Sequence, residues 1–138
     1  MNTEYRNVRF ITDYNGSIPS QFGVVTSCNP NGKKVSQTEN TKRTEAFKSE
    51  LNKNNEEFFS VIGCSPDQTH QETGYGIVTN SIDKIIELGR QWEQEAVFWI
   101  EEGRTHLISC DTETNVVIGK WDQLKIDPCG AETDQTAG

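Results

Sequence analysis

Between residues 22 and 100 the chain has strand-like and helix-like segments in the order strand, helix, strand, strand, helix, strand. The strand segments are residues 22–27, 58–62, 72–79 and 96–100, and the helix segments are residues 36–51 and 81–92. This order is that of the split βαβ arrangement of ferredoxin-like domains. The sequence therefore predicts an α+β fold. We expect a two-layer sandwich with a ferredoxin-like βαββαβ core and the helices on one face of the sheet.

Local signals indicate where these elements begin and end. Pro30 lacks the N–H group that a sheet ladder needs, so the strand before it must end there. Ser36 and Glu39 have the spacing of a capping box at a helix N-terminus. Residues 96–100 (AVFWI) are apolar without alternation, which is typical of a central strand buried on both faces. Extra strands at residues 8–12, 105–110 and 116–121 are expected to flank the core.

The length of the chain, 138 residues, suits one globular domain. We assign this domain to residues 1–126. The tail, residues 127–138, has no apolar cluster and is predicted to be disordered. No segment approaches the roughly 20 apolar residues that cross a bilayer, and the N-terminus lacks the apolar stretch of a signal peptide. The expected location is the cytoplasm, without a membrane partner.

Charge and cysteine usage exclude several classes of partner and cofactor. The net charge of −8 repels the phosphate backbone, so a nucleic-acid partner is not expected. The four cysteines are widely scattered, with no C-x-x-C pair and no histidine at ligand spacing. We interpret them as reduced thiols, and the sequence predicts neither a metal site nor a cofactor. They are Cys28, Cys64, Cys110 and Cys129.

The polar segment at residues 29–34 (NPNGKK) lies directly before the predicted N-terminus of the first helix. Free backbone N–H groups, the helix dipole and the ammonium groups of Lys33 and Lys34 would suit an anion such as a phosphate. Residues 31–53 carry six Lys or Arg against three Glu, the reverse of the overall balance. The spacing is not that of a Walker loop. A solvated turn with ordinary surface lysines is the alternative.

Asn40 is the most informative single residue. On a helix that begins near Ser36, it shares one face with Thr44, Phe47 and Leu51, so the stripe facing the sheet opens with an amide. An unpaired buried amide costs about 1–3 kcal/mol. We therefore expect Asn40 either to clamp the turn at residues 29–32 or to contact a ligand.

Glu72 is the candidate general base, because the glycines that follow it leave room for a ligand to approach. His70 projects from the same predicted face, but its polar loop favours a surface position. Gln94, in the connection before strand 96–100, either fastens that connection or presents its amide to the same pocket. The sequence contains no strong nucleophile or metal cluster, which leaves open whether the protein is an enzyme.

Two blocks of the chain resemble a bacterial family defined only as a domain of unknown function, number 3293. VVTSCNPNGKKVSQTEN is similar to its T-A-x-N-P … S-x-x-E-N signature, and ETGYGIVTNSIDKIIELGRQWEQEAVFWI to its E-P-S-[FY] … L-G-R-x-F-G-Q-x-A-[IV]-x-[WI] stretch. The resemblance covers about residues 22–108. The positions on the family pattern are Thr26, Asn29, Pro30, Asn40, Glu72, Gly89, Arg90, Gln94 and Ala96.

The chain also departs from that pattern. Ser27 replaces an alanine, Thr73 and Gly74 replace a Pro-Ser pair, and Glu93 replaces a glycine. Because the family's serine is missing, a serine-based hydrolase is not expected. The resemblance supports a fold and a site, and it implies no particular activity.

These observations lead to two hypotheses. The first is a cytosolic domain that binds a small anionic ligand, nucleotide-like or phosphate-bearing. Its binding residues would be Thr26, Asn29, Gly32, Lys33, Asn40 and Gln94, with Glu72 as the base if there is turnover. The second is an acidic module that inhibits or regulates a partner protein through exposed positions. Those positions would be Tyr5, Tyr14, Glu101, Glu102 and the C-terminal tail.

Overall fold

The computed structural model describes residues 3–126, which form one seven-stranded sheet with three helices. The predicted tail, residues 127–138, lies outside the described residues, as does Cys129. In chain order the elements are β1 (Arg9–Thr12), β2 (Gln21–Thr26), α1 (Gln37–Lys53), β3 (Phe58–Cys64), β4 (Gln71–Val78), α2 (Ile82–Gln91), β5 (Ala96–Glu101), β6 (Arg104–Ser109), β7 (Asn115–Lys120) and α3 (Trp121–Leu124). Short 3-10 turns occupy Thr3–Asn7 and Pro30–Gly32. In residues 3–126, no helix has the length and apolar character needed to cross a bilayer.

The predicted α+β class is confirmed, and each predicted strand and helix lies within about two residues of its expected position. The strand order is β1-β3-β4-β2-β5-β6-β7, and all neighbouring strands are antiparallel. α1 connects β2 to β3, and α2 connects β4 to β5. Each of these connections passes over one intervening strand.

One hydrophobic core lies between the sheet and the two long helices. Phe47 and Leu51 of α1 and Ile85 of α2 are fully buried in it. They pack against strand residues that include Trp99 of β5. The predicted helix stripes are therefore the faces that pack on the sheet. A side chain at Gly89 of α2 would lie 2.5 Å from Val97, so this helix approaches the sheet closely.

A second hydrophobic core covers the opposite face of the sheet. The apolar run at residues 96–100 indicated burial on both faces, which is confirmed, but the predicted two-layer sandwich left the rest of this face uncovered. Phe10 and Trp121 stack there with ring centroids 5.1 Å apart, and Phe22 meets Trp121 edge-on. Trp121 was expected at the end of a strand but begins α3, so the helices do not all lie on one face. The backbone N–H of Ile126 donates to the carbonyl of Phe10 at 2.8 Å. This contact brings the chain after α3 against β1, and the sheet curls.

Candidate functional site

The turn between β2 and α1 is folded by residues that tolerate a left-handed backbone. Asn29 has φ 51°, Asn31 has φ 57° and Gly32 has φ 73°. Asparagine and glycine adopt this region more readily than other residues do, and Pro30 fixes its own φ between them. The sequence NPNG therefore dictates a compact turn, which we call the NPNG turn.

Asn29 is the centre of a polar cluster that we call the amide network, formed with Asn40 and Glu72. Its side-chain oxygen accepts from Asn40 Nδ2 at 3.0 Å and from the backbone N–H of Val35 at 3.1 Å. Its Nδ2 donates to Glu72 Oε2 at 2.7 Å, and its backbone N–H donates to Asn40 Oδ1 at 2.9 Å. Both polar atoms of Asn40 are thus used, and the amide clamps the NPNG turn onto α1.

Glu72 reaches the network from the start of β4. Burial raises the pKa of its carboxyl above the ordinary value, and the hydrogen bond from Asn29 partly opposes this shift. A raised pKa is common for a general base, but it also occurs for structural carboxylates. The side chain of His70 is exposed.

We expect Glu72→Gln to be more stable than the wild type at neutral pH. The raised pKa means that the folded state favours the protonated carboxyl of Glu72. The contribution of Glu72 to the free energy of unfolding is therefore greatest in acid and is lost as the pH rises through the folded-state pKa. Glutamine keeps an acceptor for Asn29 without the charge. Urea denaturation across the acid-to-neutral range should show an advantage that disappears below about pH 4.

Glu57→Gln, at an exposed carboxylate, is the control for this experiment and should leave stability nearly unchanged. A Glu72→Gln protein that is less stable than the wild type at neutral pH would contradict the expectation. It would mean that the charged hydrogen bond from Asn29 outweighs the burial of the carboxylate.

The other predicted binding residues near the NPNG turn are Thr26, Gly32 and Lys33, and their contacts differ. Thr26 Oγ1 donates to the Thr73 carbonyl at 2.9 Å and accepts from the Cys28 N–H at 3.1 Å, which fixes the end of β2. Gly32 has φ 73°, which favours glycine, and a Cβ atom there would lie 2.8 Å from the Glu95 carboxylate, which would have to move aside. Lys33 is exposed to solvent.

The expectation of free backbone donors is wrong at four positions of residues 29–33. The Asn29 N–H donates to Asn40 Oδ1 at 2.9 Å. Asn31 N–H donates to the Glu93 carbonyl at 2.7 Å, and the N–H groups of Gly32 and Lys33 donate within the turn at 3.0 Å. The left-handed residues fold the turn onto itself, so that its own carbonyls accept from Gly32 and Lys33, while the carbonyl of Glu93 accepts from Asn31. An anion at this place must therefore be held mainly by side chains.

Arg43 of α1 is a structural residue that the sequence analysis missed. Its side chain is 17% exposed, and its guanidinium donates to the carbonyls of Ser27 and Trp92 and to the Glu93 carboxylate. It thus ties the end of β2 to the connection between α2 and β5. Its position three residues after Asn40, on the same helix face, was a signal that could have identified it.

Gln94 joins the same two segments. Its Nε2 donates to the Cys28 carbonyl at 3.0 Å and to the Trp92 carbonyl at 3.1 Å, so the side chain fastens the connection before β5. Gln94 also lines an open cleft. Of the predicted site residues, it is the one that does so.

This cleft has a volume of about 560 Å³ and lies beside the NPNG turn, between the segment before β1 and the loop joining β6 to β7. Its lining residues are Arg6, Asn31, Gln94, Glu95, Ser109, Asp111, Thr112 and Thr114. They supply amides, hydroxyls and charges of both signs. Such a lining suits a small polar ligand.

Comparisons with known proteins identify the family of the chain. The family model described as "Protein of unknown function (DUF3293)" matches residues 25–97, which confirms the resemblance seen in the sequence. The matched span contains the amide network, Arg43 and Gln94. Searches of the curated proteins and of the solved structures found no significant match.

Proposed function

We propose a function from the geometry of the chain itself, because the family to which the chain belongs is described as "Protein of unknown function (DUF3293)" and that description names no activity. The protein is a small-ligand-binding domain, and its ligand carries an acidic group such as a phosphate. The observation that carries this proposal is the cleft of about 560 Å³ beside the NPNG turn, with Arg6 in its wall. Its volume lies within the range of ligand sites, about 300–1,000 Å³.

Hydrogen bonds within the fold hold the wall of the cleft that Asn31 and Gln94 form. Gln94 is fixed by two carbonyls, and Asn31 by its backbone bond to Glu93. The amide network and Arg43 hold the NPNG turn from behind. A site in which the polar groups are fixed beforehand loses less entropy when a ligand binds.

The guanidinium of Arg6 is the reason to expect an acidic group on the ligand. Among residues 3–126, its guanidinium has no hydrogen-bond or ion-pair partner, and guanidinium groups match carboxylates and phosphates in shape. The exposed ammonium groups of Lys33 and Lys34 follow the NPNG turn and add positive charge. Glu72 does not line the cleft, so we propose binding and assign no turnover.

A thermal-shift screen of the full chain with inorganic phosphate, nucleotides and sugar phosphates tests this proposal. A true ligand at about 100 times its dissociation constant should stabilise the fold by roughly 2.7 kcal/mol. Arg6→Gln should remove most of that stabilisation, whereas Arg104→Gln, at an exposed arginine of β6, should retain it. A screen without any hit, or an Arg6→Gln protein that binds as the wild type does, would overturn the proposal.

Two finer assignments belong with this proposal. The run β3-β4-β2-β5, with α1 and α2 as connections over an intervening strand, supports a ferredoxin-like core extended by β1, β6 and β7. A reducing compartment such as the cytoplasm is supported by the free thiols of Cys28, Cys64 and Cys110, which are all buried.

An acidic protein-interaction module is our second candidate, supported by the net charge of −8. We rank it lower because several residues suggested for that role make contacts within the fold. Tyr5 donates its hydroxyl to Glu95 at 2.9 Å, and the Tyr14 ring lies 4.6 Å from that of Phe59. Glu101 accepts from the Trp99 indole at 2.9 Å.

A further inference from the structure

We propose that the ligand of the cleft is a zwitterion, a small molecule with an ammonium group as well as the acidic group. This inference rests on the proposed function and names the class of ligand more closely. It follows from the placement of unpaired charges of opposite sign in one cleft.

The charged side chains that line the cleft form no ion pair with one another. Among residues 3–126, the ion pairs within 4.0 Å are Arg43–Glu93, Lys84–Glu56 and Arg90–Glu113. Arg6 therefore lies more than 4.0 Å from the carboxylate oxygens of both Glu95 and Asp111. Arg6 and the two carboxylates line the same cleft, so it can receive a molecule with one negative and one positive group.

The carboxylates are positioned by their surroundings. Glu95 Oε1 accepts the Tyr5 hydroxyl at 2.9 Å, and the same carboxylate packs on the bare Cα of Gly32. Asp111 sits in a turn that Ser109 organises, because Ser109 Oγ accepts from the N–H groups of Asp111 and Thr112 at 3.2 Å. The Asp111 side chain has no partner among the described residues.

A ligand with only negative charge should bind this cleft less tightly than a zwitterion does. Arg6 would attract a phosphate, but Glu95 and Asp111 would repel it, since like charges placed together oppose binding. Glu95 and Asp111 would attract an ammonium group on the same ligand, and this attraction would offset their repulsion of the phosphate. Because the carboxylates are exposed, each such contact contributes modestly and weakens with salt.

Isothermal titration of the full chain at low ionic strength, with three matched probes, tests the inference. The probes are O-phosphoethanolamine, ethyl phosphate, which lacks the ammonium group, and ethanolamine, which lacks the phosphate. O-phosphoethanolamine should bind about fivefold more tightly than ethyl phosphate. Asp111→Asn should reduce this preference, because it removes an attraction for the ammonium group and a repulsion of ethyl phosphate, and Asp122→Asn on α3 is the control.

The outcomes separate this inference from the proposed function. Equal affinities for the two phosphates, or an Asp111→Asn effect equal to that of Asp122→Asn, would overturn the zwitterion and leave the anion site intact. If neither phosphate binds, the anion site fails and the inference fails with it. A preference for O-phosphoethanolamine that Asp111→Asn reduces, together with a loss of affinity for both phosphates in Arg6→Gln, supports both.

Discussion

Replacing Asn29 with alanine should lower the free energy of unfolding by about 3 kcal/mol, because three groups lose their partner at once. The Asn29 side chain accepts from Val35 and Asn40 and donates to Glu72. Alanine must also adopt the left-handed backbone with φ 51°, which costs about 1 kcal/mol. Urea denaturation of the two proteins at neutral pH measures the change.

Asn31→Ala is the matched control. Asn31 has φ 57°, and its side chain makes no hydrogen bond to the described residues. Its replacement should cost only the backbone part, about 1 kcal/mol. The difference between the two variants then reports the amide network. If both lose the same stability, the network contributes nothing to the fold.

The amide network could be recognised from the sequence because each member is marked by a local pattern. Asn29 precedes a proline at the end of an apolar run, and Asn40 occupies the face of α1 that Phe47 and Leu51 identify. Glu72 opens a strand. The sequence could not decide between clamp and ligand contact, because that choice depends on how β2, β4 and α1 are placed in space.

The cleft was not predictable in this way. Its lining combines the NPNG turn with the segment before β1, the connection before β5, the end of β6 and the loop after it, which are far apart in the chain. Only the register of the antiparallel sheet brings them together, and a hydrophobic pattern does not specify neighbours between distant strands. No local pattern in the sequence marks Arg6 or Asp111 as part of a site.

Short elements and individual backbone hydrogen bonds also could not be predicted from the sequence. α3 spans only Trp121–Leu124, about one turn, which is too short for a helical period to be recognised. The donors of the NPNG turn were expected to be free because loops often leave them so. Their use depends on the left-handed residues within the turn, and on the Glu93 carbonyl from a distant segment.

The second large effect is expected for Arg43→Met, which keeps the apolar stem of the side chain and removes its charge. We expect a loss of about 3 kcal/mol in the free energy of unfolding, because hydrogen bonds from a charged group contribute about 1.5–3 kcal/mol each. The carbonyls of Ser27 and Trp92 both lose such a donor. Urea denaturation measures the loss.

Two further variants separate the hydrogen bonds of Arg43 from its ion pair. Glu93→Gln removes the exposed ion pair, whose distance is 3.3 Å, and should cost less than about 1 kcal/mol. Arg43→Lys should recover only part of the stability, because a single ammonium group cannot reproduce the planar arrangement of guanidinium donors. A lysine variant as stable as the wild type would show that charge alone suffices.

Amide hydrogen exchange would identify the backbone positions that Arg43→Met destabilises. The Asn31 N–H donates to the Glu93 carbonyl, in the connection that Arg43 ties to β2. In Arg43→Met this amide should exchange faster relative to core amides, because the NPNG turn and the connection separate locally before the whole protein unfolds. If its exchange changes only in proportion to global stability, Arg43 stabilises the fold as a whole. Faster local exchange makes Arg43 the residue that holds one wall of the cleft in place, and ligand affinity should then fall with it.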